Sequence, residues 1–494
     1  MNTSMIRYII GIMLKVEGVL LTIPSVVSLI YREIQGIFYV GTGIFCVMLG
    51  FILTAVKPRD TVFYLKEGCI ATALSWIFLI LFGALPPFIS GEIPSFTDSF
   101  FEIASGFTTT GASILSNVEV LSHTLNFWRC FTHWIGGMGI LVFMLAIVPL
   151  SGGGGMNLMR AESPGPSVGK LVPRLKQTAG ILYSIYIGLT IIMIILLLVG
   201  KMPVFDTICT ALGTAGTGGF AIKNDSFSSY TLYQQWITTI FMILFGVNFN
   251  LYYFIILKQF KKAVKMEEVR WYFIIILVSV SIITFNILDS VSGFGEAVSK
   301  AAFQVGSVIT TTGFASADFD LWPTTSKCVL VLLMFVGACA GSTGGGIKVS
   351  RFVIMVKSIR KELQSYLHPK LIKKVKMDEH PIEHEVVRST NVYLITYLII
   401  FGISLLLISL ENRDFTTTFT SVAATYNNIG PGLADVGPTC NFGSFSNFSK
   451  WVFIFNMIAG RLELFPVLLL IYPSIWKELF ARKSALRNRR KNKQ

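Results

Sequence analysis

Long apolar runs alternate with short polar segments along this chain. A helix needs about 20 consecutive apolar residues to cross the hydrocarbon core of a bilayer. The repeated runs therefore predict an all-α polytopic membrane protein. The predicted apolar spans are 5–30, 38–56, 68–90, 127–150, 178–200, 232–257, 271–290, 326–358, 391–410 and 449–476.

Four short, polar and Gly-rich stretches lie between these runs and resemble one another. Their anchor glycines, Gly111, Gly219, Gly313 and Gly430, follow one another at intervals of 108, 94 and 117 residues. Such self-similarity indicates a fourfold internal repeat. The stretches consist of Thr109, Thr110 and Gly111; Thr217, Gly218 and Gly219; Thr311, Thr312 and Gly313; and, more loosely, Asn428, Ile429 and Gly430.

These stretches have the composition of an ion-selectivity filter. Non-helical backbone at membrane depth is tolerated only where it is buried in protein or lines a water-filled cavity. Glycine permits unusual backbone angles, so carbonyl oxygens can point inward and replace the hydration shell of an ion. The alternative is four extracellular turns, because Thr and Gly are common in turns. Repetition between apolar runs favours a ring of carbonyls around one pore.

A segment long enough for a short half-helix precedes each stretch. Small residues occur six or seven positions before most of the anchor glycines, where they let helices approach closely. Asp98 and Asp206 lie thirteen positions before the first two anchors and suit the starts of such helices as caps. The carboxyl ends of the half-helices would then direct partial negative charge towards a cation.

Composition and charge agree with a membrane protein and exclude a nucleic-acid-binding one. The chain is 53% hydrophobic and 14% charged, whereas soluble domains have about 25% charged residues. With both termini placed in the cytoplasm, 31 of the 41 Lys and Arg residues fall in cytoplasmic segments. This distribution follows the positive-inside rule. The net charge of +14 is therefore explained by the many Lys and Arg residues in cytoplasmic segments. These residues predict contacts with anionic membrane lipid or a cytosolic partner.

The filter stretches, together with residues 134–139, 337–348 and 460–463, resemble the Trk/Ktr/HKT superfamily of potassium transporters. Two extra N-terminal spans resemble its TrkH type. The resemblance covers nearly the whole chain and implies four M1–pore helix–M2 repeats around one pore. It also implies potassium uptake across the cytoplasmic (inner) membrane, a homodimer with one pore in each protomer, and a cytosolic TrkA-type nucleotide-binding regulatory subunit.

The repeats and the resemblance divide the chain into six segments. They are an N-terminal two-helix region (1–60), repeat 1 (61–177), repeat 2 (178–265), repeat 3 with a gating loop and a cytoplasmic linker (266–388), repeat 4 (389–476) and a basic cytoplasmic tail (477–494).

Two further features predict a gate. Gly341, Gly344, Gly345 and Gly346 interrupt an apolar run, and each Gly costs about 1 kcal/mol relative to Ala in a helix. The alternative is a helix kink, but the resemblance favours an intramembrane gating loop. Arg461 lies inside another apolar run, where an Arg costs about 2.5–3.5 kcal/mol. It either pairs with a carboxylate on a neighbouring helix or forms an electrostatic barrier in the pore, and the resemblance favours the barrier.

Two alternatives concern what the protein transports or catalyses. In the family, Ser in place of the first filter Gly is associated with sodium transport. All four anchors here are Gly, which favours K⁺ over a sodium-coupled or sodium-permeable transporter. His380, Glu383 and His384 match the H-x-x-E-H order of some metalloproteases, but Pro381 lies inside the motif. A solvated linker is the favoured interpretation, so we expect no enzyme activity and no organic cofactor.

Overall fold

A computed structural model describes residues 2–58, 64–139, 175–368, 374–475 and 477. Its regular structure is helical apart from a short hairpin, in which Lys376–Met377 (β1) pairs antiparallel with His380–Pro381 (β2). The helices of the first half are α1 (Thr3–Leu20), α2 (Thr22–Tyr31), α3 (Gly36–Thr54), α4 (Leu65–Ile89), α5 (Phe96–Phe107), α6 (His123–Met138), α7 (Leu175–Val199), α8 (Val204–Gly216), α9 (Leu232–Phe245), α10 (Asn250–Ile256) and α11 (Phe260–Lys265). Those of the second half are α12 (Glu267–Ile287), α13 (Phe294–Ile309), α14 (Thr324–Val336), α15 (Val349–Leu367), α16 (His384–Ser409), α17 (Phe415–Tyr426), α18 (Asn447–Arg461) and α19 (Phe465–Ile471). The all-α prediction is confirmed.

Six helical spans in the described part of the chain are long and apolar enough to cross a membrane. The bent pair α9 and α10 makes a seventh if it is counted as one span. Four short helices, α5, α8, α13 and α17, follow the long helices α4, α7, α12 and α16, respectively. Each repeat therefore contains a long first helix, a short pore helix and a second span that returns from the filter stretch.

The second spans depart most from the sequence prediction. The run 232–257 is not one helix, because α9 and α10 meet at an angle of 96°. The run 449–476 is likewise broken: α18 ends at Arg461, and Glu463 and Leu464 adopt left-handed backbone angles, with φ of 51° and 70°. Apolar composition alone cannot place such breaks, since they depend on contacts with other repeats. In the run 127–150, α6 ends at Met138, and residues 140–150 lie outside the described residues.

The N-terminal pair packs through close backbone contacts between α1 and α3. A Cβ atom added at Gly18 would lie 2.5 Å from the carbonyl oxygen of Gly43, and one added at Gly43 would lie 2.7 Å from that of Gly18. Association of helices in a membrane depends on such close packing at small residues. Apart from Lys477, the predicted basic tail lies outside the described residues.

The pore helices begin differently from the prediction. Asp98 and Asp206 lie in the first turns of α5 and α8, where they complement the helix dipole. Asp98 is not the cap, because the side chain of Ser95 accepts the hydrogen bond from the Asp98 amide at 3.3 Å. Asp206 instead accepts from the hydroxyl of Tyr230 at 2.9 Å, and burial together with Asp206 raises the pKa of Tyr230.

Candidate functional site

The four filter stretches share one backbone conformation. The residue two positions before each anchor glycine is left-handed, with φ of 55° at Thr109, 54° at Thr217, 59° at Thr311 and 57° at Asn428. The anchor glycines also have positive φ, from 76° at Gly111 to 99° at Gly430. The fourth stretch thus has the same fold as the others despite its different sequence.

One hydrogen bond recurs at the same position in every stretch. The amide of the residue before each anchor donates to a carbonyl five positions earlier, near the end of the pore helix. These bonds run from Thr110 to Ser105 at 2.9 Å, from Gly218 to Gly213 at 2.9 Å, from Thr312 to Ser307 at 2.8 Å and from Ile429 to Ala424 at 2.9 Å. The N–H groups are therefore directed back into the pore helices. The acceptor residues are the small residues that the sequence places six positions before the anchors.

The stretches close into a ring in chain order. A Cβ atom added at Gly111 would lie 2.0 Å from the carbonyl oxygen of Gly218, in the next stretch. A Cβ atom added at Gly219 would lie 1.9 Å from the carbonyl oxygen of Thr312, and one added at Gly313 would lie 2.0 Å from that of Ile429. One added at Gly430 would lie 2.8 Å from the carbonyl oxygen of Thr110, in the first stretch. Only glycine fits where backbones approach this closely. Each anchor therefore contacts the residue before the next anchor, and the fourth stretch contacts the first.

All four anchor glycines, Gly111, Gly219, Gly313 and Gly430, line one cavity of about 190 Å³. The residues that follow the anchors form most of its wall. Each pore helix ends one or two residues before the first residue of its stretch, so the partial negative charges of four helix ends lie beside the ring. This arrangement suits a cation.

Side-chain hydrogen bonds support the ring both within a stretch and between stretches. The hydroxyls of Thr108 and Thr110 lie 2.8 Å apart, and the equivalent hydroxyls of Thr310 and Thr312 lie 2.7 Å apart. In the fourth stretch, the side-chain NH₂ group of Asn428 donates to the Thr110 hydroxyl at 2.9 Å and to the backbone carbonyl of Met457 at 2.9 Å. Asn428 therefore links the last stretch to the first.

His133 is a site residue that sequence reasoning missed. It is fully buried, with Nδ1 2.7 Å from the carbonyl oxygen of Gly106. Its Nε2 accepts from the amide of Phe220 at 3.2 Å. The ring thus donates to the end of the first pore helix and accepts from the second stretch, which fixes a neutral tautomer. The sequence feature that could have identified His133 is its position as a polar aromatic residue inside the apolar run 127–150.

A buried ion pair also supports the first stretch. Arg129 Nε lies 2.8 Å from Glu102 Oε1, and neither side chain is more than 1% exposed. Glu102 also accepts from the Ser113 hydroxyl at 3.0 Å and the Ile114 amide at 3.0 Å, just beyond the anchor glycine. A buried charge of this kind is stable only when it is paired and hydrogen-bonded.

The Gly-rich loop, residues 337–348, lies against the ring on the side opposite the cavity. The Gly345 amide donates to the Thr311 hydroxyl at 2.6 Å. Cβ atoms added at Gly344 and Gly345 would lie 2.8 Å from the Thr310 carbonyl oxygen and 2.6 Å from that of Asn427. The predicted interruption between α14 and α15 is therefore a loop packed under the third and fourth stretches, not a helix kink.

Arg461 contacts the same region from the fourth repeat. Its Nη1 donates to the carbonyl of Thr343 at 2.8 Å and to the Thr109 hydroxyl at 3.3 Å. Its Nη2 donates to the carbonyls of Gly136 and Gly137, the latter at 2.6 Å. The guanidinium therefore lies between the first stretch and the Gly-rich loop.

Two neighbouring basic residues complete this region. Glu463 pairs with Arg351 at the start of α15. The ammonium group of Lys348 donates to the carbonyl of Gly344 inside the Gly-rich loop. The cationic groups of Arg461 and Lys348 therefore both contact the Gly-rich loop, whereas Arg351 is paired with a carboxylate.

The alternative metal motif is not assembled. His380 lies in β2, Glu383 precedes α16, and His384 is the first residue of that helix. Within the described ranges, no group of three or more His, Cys, Asp or Glu side chains could hold a metal ion.

Comparison with known proteins places these features in a family. The family model TrkH, a cation transport protein, matches residues 37–478. The chain is 36% identical to the Trk system potassium uptake protein TrkH of Salmonella typhimurium over 491 residues, covering 97% of this chain and 100% of the relative. It is 34% identical to the TrkH protein of Escherichia coli K12, with the same coverage. The crystal structure of the potassium transporter TrkH from Vibrio parahaemolyticus is similar, with a TM-score of 0.86, 30% identity and coverage of 96% and 100%.

Proposed function

Because this chain belongs to the TrkH family of cation transport proteins, we propose that it takes up K⁺ across the cytoplasmic membrane through the ring of four filter stretches. The family membership confirms that the chain is a multi-pass membrane transporter and not an enzyme. Its potassium-uptake relatives support K⁺ as the transported ion.

The observation that carries this proposal is the closed ring. Four glycines from four repeats line one cavity of about 190 Å³, and each contacts the next stretch in turn. An ion that enters there exchanges its water for backbone oxygens, helped by four pore-helix ends. The residues in direct contact with K⁺ would be those of the stretches: Thr109, Thr110, Gly111, Thr217, Gly218, Gly219, Thr311, Thr312, Gly313, Asn428, Ile429 and Gly430.

The Gly-rich loop and Arg461 would gate this path. The loop packs directly against the inner face of the ring through Gly344 and Gly345. Arg461 places a guanidinium between the loop and the first stretch. A fixed positive charge and a peptide loop beneath a cation filter both oppose the passage of K⁺. Gating then requires the loop to move, with Gly341 and Gly346, both at positive φ, as its flexible points.

Assembly and regulation are also part of the proposal. We expect a homodimer with one pore in each protomer, and both termini in the cytoplasm. We also expect a cytosolic TrkA-type nucleotide-binding subunit to contact the basic side of the protein. The segment around β1 and β2, together with the basic helix α15, is the surface that we assign to this contact. If addition of the regulatory subunit leaves K⁺ flux unchanged, regulation by such a subunit is contradicted.

Transport by the purified protein in liposomes tests the central claim. We expect an inward K⁺ gradient to drive K⁺ flux well above that of protein-free vesicles. Sodium flux under a matched gradient should be lower. Equal fluxes would favour the sodium-permeable alternative, and an absence of both would contradict the proposed transport activity.

A further inference from the structure

The buried carboxylate of Glu268 holds the Gly-rich loop at two points. Glu268 is the second residue of α12 and is 5% exposed. Its Oε1 accepts from the amide of Ala340, inside the loop, at 2.7 Å, and from the amide of Ser350, just after the loop, at 3.1 Å. Its Oε2 accepts from the side-chain amide of Asn248 at 3.3 Å. All three partners are N–H donors, so Glu268 accepts three hydrogen bonds, as an ionised carboxylate does.

The bond to Ser350 sets the position of α15. The first amides of a helix have no partners within the helix, and Lys348 provides no side-chain cap for α15. Glu268 therefore caps α15 from a different helix, where its negative charge also complements the positive end of the helix dipole.

The bond to Asn248 connects the loop to the bend between α9 and α10. Asn248 Oδ1 accepts from the amide of Asn250 at 3.0 Å, so its NH₂ group is the part that faces Glu268. At the same bend, the Phe249 amide donates to the carbonyl of Gly341 at 3.0 Å. The amide of Cys339 donates to the carbonyl of Gly246 at 3.0 Å. The loop is thus held by backbone hydrogen bonds to repeat 2 on one side and by the carboxylate of Glu268 on the other.

We propose that Glu268 is a positioning residue that latches the Gly-rich loop against the ring and so holds the pore closed. This rests on the proposed function, in which that loop is the gate. Hydrogen bonds to a charged group are roughly twice as strong as neutral ones. Loss of the carboxylate removes three of them at once, so the ratio of open to closed loop should rise by about tenfold or more.

The test combines ion flux with the reactivity of a native thiol. Cys339 lies in the loop and is fully buried, so a water-soluble maleimide should label it slowly. In a protein whose other six cysteines are replaced, Glu268→Ala should raise both K⁺ flux and the rate of Cys339 labelling. Glu267→Gln is the matched control, since that neighbouring carboxylate pairs with Lys357 at 2.5 Å and makes no hydrogen bond to the loop in the described structure. It should change neither quantity.

The conservative variant Glu268→Gln keeps the proposal testable if Glu268→Ala fails to fold. Its amide oxygen can still accept from Ala340 and Ser350, but its NH₂ group would face that of Asn248. We expect a smaller increase in flux and labelling. A folded Glu268 variant with unchanged flux and labelling, or with reduced flux, would overturn the latch. If the wild-type protein carried no K⁺, the proposed function would fail instead, while Cys339 labelling would still report the position of the loop.

Discussion

Arg461 donates a hydrogen bond from Nη1 to the carbonyl of Thr343 at 2.8 Å, which joins the fourth repeat to the loop of the third. The same nitrogen reaches the hydroxyl of Thr109 in the first filter stretch. One side chain therefore connects a filter residue with the peptide segment beneath it. A change in the position of the loop must alter the environment of this guanidinium.

Arg461→Ala should raise the maximal K⁺ flux. A fixed positive charge beside the filter opposes the passage of K⁺, so its removal should increase flux by about tenfold, which corresponds to a barrier lower by about 1.4 kcal/mol. Arg461→Lys keeps the charge and should remain near the wild-type flux. Flux from protein in liposomes and the monodispersity of each variant are the measurements. If the alanine variant conducts less or unfolds, Arg461 stabilises the bundle and is not a barrier.

Gly313→Ser should weaken selection of K⁺ over Na⁺. Its Cβ would lie 2.0 Å from the carbonyl oxygen of Ile429, and Gly313 has φ of 88°, so the ring must distort. We expect the ratio of K⁺ to Na⁺ flux to fall by roughly tenfold, a change of about 1.4 kcal/mol. Gly295→Ser, in the same pore helix with nothing within 4 Å of an added Cβ, is the control and should leave the ratio unchanged.

Deletion of residues 341–346 should raise flux and weaken regulation. The loop contacts the inner face of the ring through Gly344 and Gly345, so its removal clears the path below the filter. The Thr311 hydroxyl loses the amide of Gly345 as a partner, and a small loss of selectivity should follow. Flux measured with and without the regulatory subunit checks this. A folded deletion variant with reduced uptake would contradict the gate.

His133→Phe should reduce selectivity with little change in packing. Phenylalanine keeps an aromatic ring under Gly218 but cannot pair with the Gly106 carbonyl or the Phe220 amide. Each buried group left unpaired costs about 1–3 kcal/mol, so the first and second stretches should become mobile relative to each other. The ratio of K⁺ to Na⁺ flux measures the loss of selectivity, and the thermal unfolding temperature measures the loss of stability. A lower unfolding temperature with an unchanged ratio would make His133 purely structural.

The sequence by itself determined the class of fold and the composition of the filter. Apolar runs long enough to cross a bilayer have few alternatives to helices, and four Gly-containing stretches at intervals of about 100 residues indicate one repeated unit. Glycine at the anchors is favoured by the positive φ of these residues, which is a local property. For this reason the four stretches, including the divergent one around Asn428, could be identified from residue types and spacing alone.

Tertiary structure alone decided how the stretches meet and what lies beneath them. The ring depends on contacts between residues about 100 positions apart, such as Gly111 with Gly218. The bend of 96° after α9 and the break after Arg461 depend on packing against other repeats. His133 and Glu268 lie in helices that contain several other polar residues, and the sequence does not show which partners they have. Their roles follow from the amides and carbonyls that other repeats bring to them, because a hydrogen bond is set by where its partner lies.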